Sequence, residues 1–148
     1  MIYHPHNFLN PKDINSPLHK IVLDFTSFFY AKSKPVISDS LFSIPNYFLK
    51  NYGLENSAVI TNLINHTVID ISETMKNYDD YFFVINDDWF PITNKEQSEN
   101  INISIRRINT SIRFFESCKA LQTTRKGYPS FRHYKINFNI LASHIKEV

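Results

Sequence analysis

The sequence predicts a mainly α-helical fold with a small antiparallel β-sheet. Three observations carry this. Apolar residues recur at helical spacing over residues 16–31, 56–71 and 105–115. A T-x-x-E cap and an asparagine-centred turn separate two helices between Thr93 and Ser104. After Ala120 the apolar period switches to two, on either side of a turn holding Gly127 and Pro129. With 148 residues and 43% hydrophobic composition, the chain fits one compact domain, or one domain with a substantial N-terminal extension, and it can bury a core.

Taken in order, Ser16-Pro17 supplies an N-cap and a first-turn proline, opening a helix over residues 16–31 with Leu18, Val22, Phe25 and Phe29 on one face. That face needs a lid, which motivates a homodimer. Lys34-Pro35 ends the helix, and residues 36–52 are a mixed segment with a bend at Ile44-Pro45. Gly53 is a break, dividing an N-terminal helical extension (residues 1–52, for dimerisation or docking) from the remaining domain (residues 53–148). A helix over residues 56–71 follows, with Ile60, Leu63, Ile64, Val68 and Ile71 at helical spacing; residues 75–80 connect it to an aromatic strand at 81–85.

Thr93 and Glu96 then form a capping box, so a short helix starts at Asn94. Asn102 suits the left-handed residue of a tight interhelical turn, and Ser104 caps the next helix. On that helix Ile105, Ile108, Ile112 and Phe115 share one arc, while Arg106, Thr110, Arg113 and Ser117 project from the opposite side. Phe114 falls off the apolar arc and is offered to the N-terminal helix or to a partner. Residues 121–124 form a strand, 125–130 a turn, and Tyr134, Ile136, Phe138 and Ile140 alternate inward beyond it.

The formal net charge of +2 conceals a segregation. Residues 1–91 hold six Lys plus Arg against ten Asp plus Glu, and residues 92–148 hold ten against four, so the halves carry −4 and +6. Between Ile101 and Lys135, the cations Arg106, Arg107, Arg113, Lys119, Arg125, Lys126, Arg132 and Lys135 face only Glu116. Such a surface attracts polyanions. No apolar run approaches the ~20 residues of a membrane span, and MIYHPHNFLN has neither a basic n-region nor an apolar h-region, so neither a membrane helix nor a secretory signal is expected. The single Cys118 excludes an intramolecular disulfide and a cysteine zinc cage, and a reducing, cytoplasmic setting is expected. Two glycines are too few for a phosphate-binding loop, and no nucleophile elbow or metalloprotease motif is present.

The order helix, short helix, Asn turn, basic-faced helix and basic-tipped hairpin resembles a winged helix-turn-helix domain with an N-terminal helical extension. Thr93 to Ser104, T-x-x-x-Q-S-x-x-I-N-I-S, is similar to that family's spacing before its recognition helix, and DDWFPIT to the strand and cap before the helix pair. RKGYPSFRHYKIN looks like the wing of such modules in phage and plasmid replication proteins. Two positions depart from the pattern: Gln97 stands where Leu is usual, and Lys119 where Gly ends the recognition helix. The resemblance implies a sequence-specific binder of double-stranded DNA from a mobile element, acting in replication initiation or transcriptional control, and not an enzyme. Arg106, Thr110 and Arg113 are then the expected base contacts, since Arg forms a bidentate pair with guanine. Ser104, Arg107, Arg125, Lys126, Arg132, His133 and Lys135 are the expected backbone contacts, and six phosphates would give a salt slope of about −5.

A second reading makes the same winged helix a protein-binding module that docks its basic face on a host replication or transcription protein, for instance as an inhibitor. A third makes Asp79-Asp80 and Asp87-Asp88 a Mg²⁺ site for nuclease chemistry, but aspartates at strand ends read first as turn residues. His4 and His6 do not extend to a ligand set with His19, His66, His133 and His144, so neither metal nor cofactor is expected.

Overall fold

The computed structural model describes residues 2–3, 17–18, 20–21, 24–25, 43–70, 83–86 and 88–145. Pro17, Leu18, Lys20, Ile21, Asp24 and Phe25 are helical, in keeping with the helix predicted over residues 16–31. The connection at residues 75–80 lies outside the described residues. Helix α1, Asn46–Tyr52, starts directly after Pro45, whose carbonyl accepts the N–H groups of Phe48 (3.1 Å) and Leu49 (3.3 Å). The bend expected at Ile44-Pro45 is therefore a helix start, because proline keeps the residue before it extended but leaves its own carbonyl free to open a helix.

Gly53 closes α1 and opens α2, Leu54–Thr67, with φ +80 and ψ 177. That region is essentially glycine's alone. No atom lies within 4 Å of where a Cβ would sit, so backbone conformation and not crowding selects the residue. Helix α2 is central: Ser57 to Ile64 are all buried. It stops at Thr67, short of the predicted end at residue 71. Thr67-Val68-Ile69 is a β-branched run that loses rotamer freedom in a helix, and Val68–Asp70 (β2) pairs instead with Phe83–Asn86 (β3). The other edge of β3 pairs with Ile2–Tyr3 (β1), giving an antiparallel sheet of order β1-β3-β2.

A second antiparallel sheet follows, so the one small sheet expected is two. Phe90–Pro91 (β4) leads into helix α3, Asn94–Ile101, where the Glu96 N–H donates to Thr93 Oγ1 (3.0 Å) and the Thr93 hydroxyl donates to Glu96 Oε1 (3.4 Å). Asn102 takes φ 56 and ψ 42, the left-handed turn its side chain tolerates. Ser104 then caps helix α4, Ile105–Ser117, accepting the Arg107 N–H (3.3 Å). Strands β5, Leu121–Lys126, and β6, Phe131–Ile136, form a hairpin about a turn at residues 127–130, and β4 adds to the far side of β6 in the order β4-β6-β5. Strand β5 thus runs two residues further than predicted. Strand β6 ends at Ile136, and Phe138 and Ile140, expected on it, lie on helix α5, Phe138–His144. The cause is Asn137, whose side chain accepts the Ile140 N–H (3.2 Å) and caps a helix that points both Phe138 and Leu141 inward.

The end of α4 answers the Lys119 departure. The Lys119 N–H donates to the Glu116 carbonyl (3.1 Å) and the Ala120 N–H to the Phe115 carbonyl (2.9 Å), the paired bonds of a Schellman motif. Lys119 occupies its left-handed position at φ 66, and Ala120 and Phe115 are both fully buried in one core. The Gln97 departure is also explained. Its side chain is fully buried and its Nε2 donates to the hydroxyl of the equally buried Tyr134 (3.2 Å).

One core gathers Ile21, Phe25, Tyr47 and Phe48 with Ile60, Leu63, Ile64, Ile108, Ile112, Phe115, Leu121, Tyr134 and Leu141. The boundary expected after residue 52 falls at the one-residue junction Gly53, with residues of this core on both sides of it. Leu18 and Phe25, from the face expected to need a lid, pack into it. The Tyr47 hydroxyl donates to Asp24 Oδ2 (3.1 Å); burial first, then the Asp24 carboxylate, pushes its phenol well above the usual range.

Candidate nucleic-acid interface

Helix α4 carries the site, and its neighbours define which of its sides remain open. Ile108, Ser111, Ile112 and Phe115 are buried beneath it. A step of 100° per residue places Arg106, Thr110, Arg113 and Ser117 opposite that arc, and all four are exposed. They form the crest. Ile105, expected with the buried isoleucines, lies at the edge of the apolar arc and is 44% exposed.

Each flank of the crest is occupied. On one side, Arg107 meets Glu55 at the start of α2 (Nη1 to Oε1, 3.1 Å), and the Phe114 ring packs edge-on against Tyr52 (centroids 5.9 Å). Phe114, offered to the helix of residues 16–31 or to a partner, meets Tyr52 of α1 and stays 39% exposed. The Tyr52 ring also meets Phe115, and its hydroxyl hydrogen-bonds His144 Nδ1 (2.7 Å). Burial raises its phenol above the usual range. On the other side, Asn109 Oδ1 accepts from Arg132 of β6 (3.0 Å) and from Asn94 of α3 (3.5 Å), and Glu116 Oε2 accepts from Thr123 of β5 (3.0 Å). The lone carboxylate of the basic stretch therefore secures the hairpin to α4.

The hairpin register divides the remaining expected contacts between two faces. Arg125 pairs directly across from Arg132, on the face that carries Leu121, Thr123, Tyr134 and Ile136 and that looks towards α4. Lys126, His133 and Lys135 lie on the opposite face with Gln122, Thr124 and Phe131. The hairpin contacts expected together, Arg125, Lys126, Arg132, His133 and Lys135, are thus split between two faces, because side chains alternate along a strand. Ser104 and Arg107 sit at the start of α4, where Ser104 Oγ already caps the helix and Arg107 is paired to Glu55. The Thr110 hydroxyl donates to the Arg106 carbonyl (3.1 Å), leaving its oxygen facing outward as an acceptor.

On the outer face Lys126 Nζ lies 4.9 Å from the centroid of the Trp89 ring. Beside it the Asp88 carboxylate accepts the Trp89 N–H (2.8 Å), which with the charges of Lys135 and Lys126 holds it below the usual carboxylate range. Asp79, Asp80, Asp87, His4, His6 and His19 lie outside the described residues. Asn109, Glu116, Glu55, Tyr52 and Trp89 all shape the surface without having been candidates. Only the lone acidity of Glu116 and the off-arc position of Phe114 hinted at two of these contacts. No helix among the described residues is long and apolar enough to cross a membrane. No protein family, curated protein or solved structure matches this chain.

Proposed function

We propose that the chain is a winged helix-turn-helix protein that binds duplex DNA sequence-specifically, with α4 as the recognition helix and the β5-β6 hairpin as the wing. The observation that carries this is the crest of α4: two exposed guanidinium groups, without an ion pair among the described residues, and a threonine, held between a braced hairpin on one flank and the α1-α2 corner on the other. The element order β4, α3, α4, hairpin, with β4 on the outside of β6, supports the winged reading.

In this reading α4 enters the major groove, Arg106 and Arg113 take base edges, and Thr110 accepts from a base amino group. Arg125 and Arg132, facing the same side, hold the backbone with the exposed end of α4 at Ser104 and Arg107. Arg107 must exchange Glu55 for phosphate, which costs little because an exposed ion pair contributes about 0.5 kcal/mol. The sequence resemblance assigns such a protein to a phage or plasmid, in replication initiation or transcriptional control.

Fluorescence anisotropy tests this, using labelled duplexes tiled across the DNA surrounding the gene against a scrambled duplex, from low to physiological salt. A site-specific signal abolished by Arg106→Ala and Arg113→Ala is expected. Weak binding indifferent to sequence would favour the second reading, a protein-docking surface. That reading docks the same basic face of α4 and the hairpin on a protein partner.

A further inference from the structure

The outer face of the second sheet is not used by the duplex reading, and its composition is unusual for a solvated surface. Phe131 and Lys126 pair directly across the hairpin, His133 follows on the same face, and Trp89 reaches Lys126 from beyond β4. Strand β4 pairs Phe90 with Tyr134 and Pro91 with His133, so by alternation Trp89 falls on this face beside Lys135. Phe131 is 48% exposed and Tyr128, in the turn, is fully exposed. Aromatic rings and ammonium groups thus alternate across one surface, with Gln122 and Thr124 as polar neighbours.

We infer that this face binds single-stranded DNA, stacking bases on Phe131 and, as Lys126 moves from the indole ring to phosphate, on Trp89, while Lys126 and Lys135 hold the intervening phosphates. The occupant follows from complementarity. The cations call for a polyanion, and the exposed rings call for one whose π-faces are free, which stacked duplex bases are not. A duplex seated on α4 meets Arg125 and Arg132, on the other side of the hairpin, so the two surfaces do not compete for one ligand. His133, on the same face, is engaged through Nδ1 with the Phe131 carbonyl (3.0 Å). Asp88, already engaged with the Trp89 N–H and near both lysines, marks the edge of the face. The inference stands on this face alone and does not depend on the duplex reading.

The test uses the sole tryptophan, Trp89, as reporter. A thymidine oligonucleotide of about a dozen residues, within the span of one stacking module, is titrated into the full chain at low salt, with anisotropy of the labelled oligonucleotide followed in parallel. Saturable quenching of Trp89 is expected, with affinity weakened about tenfold by Phe131→Ala or Lys126→Ala and retained in Phe131→Tyr. Arg106→Ala and Arg113→Ala should leave it unchanged. Absence of quenching, equal quenching by a duplex of matched length, or loss in the Arg106 and Arg113 variants would each overturn the assignment. Phe131 and Lys126 are exposed, and thermal unfolding at the wild-type temperature establishes that their variants fold.

Discussion

Single residues in this chain show where local preference gives way to the whole. Lys119 holds a left-handed conformation that costs an L-residue roughly 1 kcal/mol and glycine almost nothing. Lys119→Gly should therefore raise stability by about 1 kcal/mol, read as a higher urea midpoint at unchanged slope; an unchanged midpoint would show that the strain is relieved elsewhere. Gln97 and Tyr134 test a different trade. Their hydrogen bond is fully buried, and Gln97 Oε1 has no partner among the described residues. Gln97→Leu or Tyr134→Phe alone should cost about 1–3 kcal/mol by stranding the other group, whereas the double substitution should be close to neutral. Additive losses in that cycle would mean that packing, and not the hydrogen bond, decides this site.

Among the elements, the relation of the hairpin to α4 would govern recognition in the proposed duplex reading, and it runs through few contacts. Asn109 joins Arg132, Asn94 and α4 at a single oxygen. Removing it frees Arg132 to leave the face that looks towards α4. Asn109→Ala should lower duplex affinity and reduce the magnitude of the log K against log salt slope by about 1, the signature of one lost phosphate contact. A slope unchanged from wild type would show that Arg132 does not contact DNA from its braced position. The elements themselves were legible to different degrees. The Thr93 and Ser104 caps and the Asn102 turn stand where local chemistry predicts, since a cap involves only a few consecutive residues. The end of α2 at Thr67 and the helix after Asn137 were misplaced. A β-branched run adopts strand or helix according to what lies beside it, and the inward-facing Phe138 and Leu141 satisfy a helical period only once a core exists to receive them.

For the molecule as a whole, the register limits the number of cations that one duplex would meet in the proposed reading. Arg107, Arg125 and Arg132 remain on the α4 side for phosphate, while Lys126, His133 and Lys135 do not. The slope of log K against log salt for duplex binding should then be about −3 and not −5. Anisotropy titrations over a tenfold range of salt distinguish the two values, and a slope near −5 would place both hairpin faces on the same duplex.

Composition and period determined the mainly helical class, the segregation of basic charge into residues 92–148, the two capped helices and the outward crest of α4. Each of these rests on residues near one another in the chain, whose geometry the helical or strand repeat sets before any tertiary contact forms. Tertiary structure alone decided that residues before Gly53 share the core, that Glu55 claims Arg107, and that Asn109 and Glu116 brace the β5-β6 hairpin. Those outcomes depend on which side chains meet between separate elements, from Glu116 with Thr123 seven residues away to Arg107 with Glu55 across 52. Such meetings are chosen by packing and strand register, which no local pattern encodes.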